Sequence, residues 1–306
     1  MKLSTAIQGY WLDKQLDFSP HTVSSYNRVF RRLLEAIGDL EIEAVTSGHI
    51  RRFLALLRAE YGLSKRSVHD AWIPLSSLWS WAEKELGIPH IIRGKVAAPD
   101  FPKRIIEPFT QDEIRRLLKA AEYTQTWTAP SGKRTRTRRP TAERDKAIIL
   151  VLVDTGIRSS ELCGLTVGDH DPKRGRLHIR HGKGDKERFV VAGSRSQRAI
   201  WRYLTTRPNA KPADPLFASR DGNPLQREYL YHLIRRLGEQ AGIQNAHPHR
   251  LRHTFAITFL RNGGSPLLLQ ELLGHEELST VLHYVKLAEQ DIDRGAKHSP
   301  ADHWRL

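Results

Sequence analysis

The stretch HPHRLRHTFAITFLRNGGSPLLLQELLGHEELSTVLHY, residues 247–284, decides how the second half of the chain is read. His249 and Arg252 stand three apart, so on a helix they share one face. The Asn262-Gly263-Gly264 break closes that helix. Ser265 then caps a second one, with Pro266 at its first position, and this helix ends at Leu273-Gly274-His275. Tyr284 follows nine residues later. Cations gathered around one phenol point to chemistry on a phosphate.

Working back from that stretch, helices are expected over about 226–241 and 196–205. Before them, Arg176 to Arg180 and Arg188 to Val191 read as paired strands, and Gly182-Lys183-Gly184-Asp185 makes a hairpin turn that presents Lys183 where strand meets turn. Ala147 to Val153 is almost wholly apolar, which predicts a helix buried at the centre of its domain, capped by Thr141. It stops at Thr155-Gly156, and Ile157-Arg158-Ser159-Ser160-Glu161-Leu162 restarts at once, placing Arg158 at a helix N-terminus. Further back, Thr110-Gln111-Asp112-Glu113 is a capping box that opens the domain with a helix running to about Tyr123. Between these helices Gly132 to Pro140 is a polar, basic, apolar-free loop. It reads equally as a flexible insertion and as a segment ordering on a polyanion through Arg136 and Arg138.

The first ninety residues carry four helical patterns: Thr5 to Leu16, one opened by Ser19-Pro20 and closed by Gly38, Ser47 to about Tyr61, and Ser64 to Leu86, in which Pro74 predicts a kink. Their polar faces carry Arg28 and Arg31, then Arg51, then Lys65 and Arg66. Repetition on successive helices favours a phosphate-facing surface over a merely solvated one. From 88 to 108 the pattern dissolves around Pro89, Pro99, Pro102 and Pro108, with Arg93, Lys95, Lys103 and Arg104 among them; an extended basic linker is expected. Counted from Gly87, its roughly 22 residues at about 3.3 Å each reach roughly 70 Å, ample to pass half-way round a duplex, a path of about 30 Å.

With 306 residues the chain can bury two cores, and 49 Lys+Arg against 34 Asp+Glu give a net charge of +15. That balance fits a polyanionic partner, nucleic acid before an anionic membrane. No apolar run approaches a membrane span and Met1-Lys2-Leu3 opens no signal-peptide core, so a cytoplasmic, nucleoid-associated protein is expected. Cys163, the single cysteine, excludes an intramolecular disulfide and reads as a small buried residue.

Thr155 to Leu162, Gly182-Lys183-Gly184-Asp185-Lys186-Glu187-Arg188, His249-Arg250-Leu251-Arg252-His253, and Leu272-Leu273-Gly274-His275 followed by Tyr284 resemble, in order and spacing, the successive signatures of the tyrosine recombinases, which include phage integrases and Xer-type enzymes. The resemblance runs from about Thr110 to the end; the helical first domain is similar to the family's core-binding domain by pattern and position. It implies a mainly α fold with a small antiparallel β-sheet: a core-type DNA-binding domain over 1–87, a linker over 88–108, and a catalytic domain with a C-terminal tail over 109–306. It implies Tyr284 as nucleophile, Arg158 and Arg252 as the arginine pair on the phosphate, His249 and His275 assisting proton transfer and phosphate hydrogen bonding, Lys183 protonating the departing 5′-oxygen, and Glu161 in support. Lys186 competes with Lys183, but its spacing matches less well, and His253 reads as structural.

These residue types suit the chemistry. Attack on a phosphodiester passes through a phosphorane-like state with an additional negative charge, and fixed cations must neutralise it. A guanidinium presents a planar fork to two oxygens, which lysine cannot imitate. A 3′-phosphotyrosyl intermediate would conserve bond energy, so no cofactor is expected. The expected partners are double-stranded DNA with a specific core site, further subunits in a tetrameric synapse coupled through the tail, and accessory DNA-bending proteins.

Other readings compete. His247, His249, His253, His275 and His283 invite a metal site, but no carboxylate or cysteine completes a recognised spacing. A DNA-binding regulator would have no need of Tyr284, and a type IB topoisomerase fits the compact Leu-Gly-His to Tyr spacing less well. The chain opens directly in core-binding-type helices, without an additional arm-binding domain, as Xer-type enzymes and simpler integrases do. The basic loop within 124–140 departs from a compact Xer-type connection and tilts the expected role toward integrating or excising a mobile element or phage, with chromosome or plasmid dimer resolution as the alternative.

Overall fold

Four helices build the first ninety residues: α1 (Leu3–Lys14), α2 (Pro20–Ile37), α3 (Ser47–Ala59) and α4 (Lys65–Leu86). The structure is a computed structural model and describes residues 1–102, 107–128, 133–180, 187–274 and 278–288. The chain divides into two compact units, Met1–Arg104 and Ile105–Leu306.

In the first unit the sequence signals work as side-chain caps. Ser19 Oγ accepts from Thr22 N at 3.2 Å, Ser64 Oγ from Ser67 N at 3.1 Å, and Thr46 closes a reciprocal box with His49. α4 runs without a break across Pro74, which is buried. Tyr10, Phe30, Phe53 and Trp79 are fully buried, Tyr10 edge-on to Phe30 and Trp81, each contributing about 2–3 kcal/mol by removal from water.

The stretch read as linker from residue 88 begins later than that. Ile88, Ile92 and Val96 belong to the core of the first unit. Polar clasps hold the same segment: Ser47 Oγ donates to Ile91 O at 2.7 Å, Arg51 Nη2 to Lys95 O at 2.6 Å, and Trp72 Nε1 to Val96 O at 3.1 Å. His90 is buried; its Nδ1 accepts from the backbone N–H of Ile92 and Arg93, and its Nε2 faces Ser80 Oγ at 3.1 Å. Phe101 lies edge-on to His69 and under the Arg66 guanidinium. The apolar period hidden among prolines and cations explains the difference: positions 88, 92 and 96 repeat every fourth residue and form a strap against α3 and α4.

The second unit is arranged around α6 (Ala142–Thr155), whose Ala147, Ile148, Ile149, Val151 and Leu152 are fully buried. It packs against α5 (Gln111–Glu122), α8 (Ser194–Thr205) and α10 (Pro248–Arg261). Thr110 and Glu113 form the expected box at the start of α5. Thr141 stands before α6 without a side-chain cap bond; its Oγ1 donates to Asp145 Oδ2 instead. Within the stretch expected to be an apolar-free loop, β2 (Arg134–Thr135) pairs antiparallel with β1 (Trp127–Thr128), which precedes that stretch, and Arg136 lies over the Tyr123 ring at 4.3 Å. After α6 come α7 (Ser159–Gly164), then the antiparallel sheet β3 (His170–Asp171), β4 (Arg176–Ile179) and β5 (Arg188–Val191), with Leu177 opposite Val190 and Ile179 opposite Arg188. The two-residue β3 is too short to leave an alternating pattern in the sequence. α9 (Arg227–Gln240) leads to α10, followed by α11 (Pro266–Leu273) and α12 (Leu278–Ala288). Cys163 is half-buried, and burial pushes its thiol up to about 11. Among the described residues, no helix is long and apolar enough to cross a membrane.

Candidate active site

Three chain turns bring the candidate residues together. Gly156 ends α6 in the left-handed conformation, φ +63°, and the chain restarts at Arg158, the N-cap of α7. His247 is the N-cap of α10; its Nδ1 accepts from Arg250 N at 3.2 Å, so this histidine is a cap. Gly274, φ +61°, closes α11 in a second left-handed turn.

Arg252 is buried on α10 and bridges the other two turns: Nη1 donates to Gly156 O at 2.6 Å and Nη2 to Leu273 O at 2.9 Å. Burial, with Arg158 beside it, lowers its pKa to about 10, against the raising influence of Glu161 and Tyr284. It therefore stays charged at neutral pH. Arg158 Nη2 donates to Gly274 O at 3.0 Å and its Nη1 to Glu161 Oε1 at 2.8 Å, and no other partner for its guanidinium is found among the described residues. Two cations thus converge on the space around one phenol, each held by backbone carbonyls.

Tyr284 lies on α12 and is 3% exposed, packed with Ala256, Ile257, Leu269 and Leu273. Burial raises its pKa, while Arg252 and Arg158 pull it down. The His253 ring stands between Tyr284, 5.2 Å away, and His249, 4.4 Å away. His249 presents a face to solvent, yet its desolvated flank, followed by Arg252, His247 and Arg158, holds its pKa below the usual imidazole value. Arg158, His249, Arg252 and Tyr284 therefore share one locality, with Glu161 beside Arg158. Lys183 and His275, with Lys186 and the hairpin turn, lie outside the described residues. No group of His, Cys, Asp and Glu among the described residues is placed to hold a metal ion.

Two arginines matter here that the motifs left without a role. Arg250 fastens the start of α10, donating to Glu107 O, Gln244 O and both oxygens of Glu113 and lying 4.0 Å from the Phe109 ring centre. Arg188, at the start of β5, reaches Glu161 and Leu272 O. Strand alternation gives a signal for Arg188: it shares a face with buried Val190, so its charge points inward and needs a partner.

The residues expected on DNA are less uniform. Arg28 and Lys65 are exposed on α2 and α4, and Arg31, also exposed, lies 3.7 Å from Glu35. Arg51 is engaged with the strap, Arg66 with Phe101, Arg136 with Tyr123, and Arg138 pairs with Glu143 and, at 3.7 Å, with Glu122.

Comparison with known proteins agrees over both units. Residues 107–291 match the pattern described as the phage integrase family, and residues 7–85 match the phage integrase N-terminal SAM-like domain. Tyrosine recombinase XerA of Thermococcus onnurineus is 32% identical over 275 residues, 90% of this chain and 87% of that protein. A crystal structure of XerA recombinase is similar with a TM-score of 0.52 and 26% identity, covering 96% of this chain and 97% of that one. A lambda integrase dimer bound to a COC′ core site shares the fold, with a TM-score of 0.71 at 17% identity, covering 92% and 97%.

Proposed function

The chain belongs to the phage integrase family of tyrosine recombinases, enzymes that cleave and rejoin DNA, and from that premise we propose that Tyr284 is its nucleophile and that Arg158 and Arg252 hold the scissile phosphate. The observation that carries this reading is the convergence of two backbone-anchored guanidinium groups on the one buried phenol of α12.

In the proposed step Tyr284 Oη forms a bond to phosphorus and the bond from phosphorus to the 5′-oxygen breaks. The phenol proton passes to neutral His249, and Lys183 supplies a proton to the departing oxygen; His275 hydrogen-bonds the phosphate. Arg158 and Arg252 neutralise the additional charge of the transition state. A 5′-hydroxyl from a second strand then reverses the chemistry and joins the new partner.

The double-stranded core site would be bound by more than one copy, as in the lambda integrase dimer on its core site, with a tetrameric synapse and DNA-bending accessory proteins completing strand exchange. For biological role we favour integration or excision of a mobile element, on the basic ribbon that interrupts the connection between α5 and α6. A second reading, dimer resolution of the Xer kind, is favoured by the identity to XerA across nine-tenths of the chain.

A nicked substrate that traps the covalent complex tests the chemistry. Wild-type protein is expected to form the adduct and Tyr284→Phe none, with Arg158→Ala and Arg252→Ala slower by on the order of 10²-fold or more. Tight DNA binding with no wild-type adduct would favour a regulator; site-independent plasmid relaxation would favour a topoisomerase. Mapping adducts over a library of candidate sites separates element ends from a dimer-resolution site.

A further inference from the structure

Glu161 is a carboxylate with every lone-pair position taken. Oε1 accepts from Arg158 Nη1 at 2.8 Å and Arg188 Nη1 at 2.9 Å; Oε2 accepts from Arg158 N at 2.7 Å and Arg188 Nη2 at 2.8 Å. Arg188 uses its remaining edge on a third element, donating from Nε to Leu272 O at 2.9 Å. Its side chain is 12% exposed and that of Glu161 1%. Gly274 allows the approach: a Cβ there would stand 3.1 Å from Arg188 Nη1. One guanidinium therefore ties the start of β5 to the N-terminus of α7 and to the last turn of α11.

We propose that Arg188 is a positioning residue for strand cleavage, aiming the Arg158 guanidinium at the phosphate through Glu161 while fixing the end of α11 that also accepts from Arg158. This rests on the assignment of Arg158 to the phosphate given above. Arg158 touches Glu161 by one edge and Gly274 O by another. With Arg188 gone, Glu161 would be held from one side only, and the Arg158 fork could rotate with it. An anion-binding fork off its line by an ångström loses much of its hold on a transition state. Lysine keeps the charge at 188 but has a single nitrogen, so it cannot span both carboxylate oxygens and Leu272 O at once.

Single-turnover adduct formation on the nicked substrate, measured for wild type, Arg188→Lys and Arg188→Ala, tests the proposal, with DNA affinity and thermal melting alongside. A second substrate carries a methylphosphonate at the scissile position. The methyl group removes one negative charge from the phosphorane-like state, so the demand on Arg158 falls. Both variants are expected to lose at least about tenfold in rate on the ordinary phosphate with DNA affinity within about twofold, and most of that loss is expected to vanish on the methylphosphonate. Two results would overturn the proposal: rates within twofold of wild type, or a loss of equal size on both substrates, which is what loosened packing alone produces. Where Arg188→Ala melts early, the charge-conserving Arg188→Lys decides between these outcomes. Absence of an adduct in wild type would instead overturn the assignment of Arg158 and Tyr284.

Discussion

Glu161 shows how burial and pairing oppose each other at one side chain. Burial pushes its carboxyl up, yet the Arg188 and Arg158 hydrogen bonds prevail and bring it down to about 2, from an ordinary 4.5. A depressed carboxyl stabilises the fold wherever it is ionised in both states. That contribution is complete above pH 4.5 and is lost as pH falls from 4.5 toward 2. Glu161→Gln leaves two guanidinium groups facing a neutral amide and is expected to cost about 3–5 kcal/mol at pH 7. Urea denaturation should find the gap between wild type and variant narrowing at pH 3; a gap independent of pH would contradict the assignment. Residue types at this site were legible because phosphate chemistry restricts them to a few kinds. What could not be read was which arginine serves which partner. Arg158, Arg188, Arg250 and Arg252 look alike in sequence, and only strand phase and helix register sort them into one that bridges carbonyls, one that clamps a carboxylate, one that fastens a helix start and one, Arg158, held between Glu161 and Gly274 O.

At the scale of elements, the turn between α6 and α7 is the tightest joint of the site. A Cβ on Gly156 would lie 2.3 Å from Phe255 Cδ1 on α10, and φ of +63° adds backbone strain for any other residue. Gly156→Ala is expected to destabilise by roughly 2–4 kcal/mol, combining the overpacking and strain costs, and to slow adduct formation because Gly156 O receives Arg252. Chemical denaturation and the nicked-substrate assay check the two effects separately; an unchanged midpoint would be against it. Helix ends were legible where a serine or threonine cap stands at a clear pattern break, as at Ser19, Ser64 and Thr110, whereas the caps at Thr46 and His247 were not. Elements without that chemistry were not: the β1–β2 ribbon and β3 have two residues per strand, and the strap over 88–96 hides an apolar period inside a proline-rich, basic composition.

Over the whole molecule the net charge of +15 sets the long-range attraction to DNA. Arg28, exposed on α2 with no ion pair among the described residues, and Lys65, exposed at the start of α4, are the first unit's simplest candidates for phosphate contact. Replacing both with alanine is expected to flatten the slope of log K against log salt by about 2, near 0.9 for each phosphate no longer neutralised, while leaving the adduct rate on saturating DNA unchanged. A slope equal to wild type would remove them from the interface. The strap also changes what joins the units. With Phe101 seated on His69 and Arg66, the span to Glu107 reaches at most about 20 Å, not the roughly 70 Å of a free linker. So short a leash makes the second contact nearly intramolecular. Once either unit touches DNA, the other meets a local concentration on the order of millimolar, and two weak contacts act with the avidity of one strong one. Loosening Ile88, Ile92 and Val96 from the first unit would lengthen the leash and dilute that advantage without altering either binding surface.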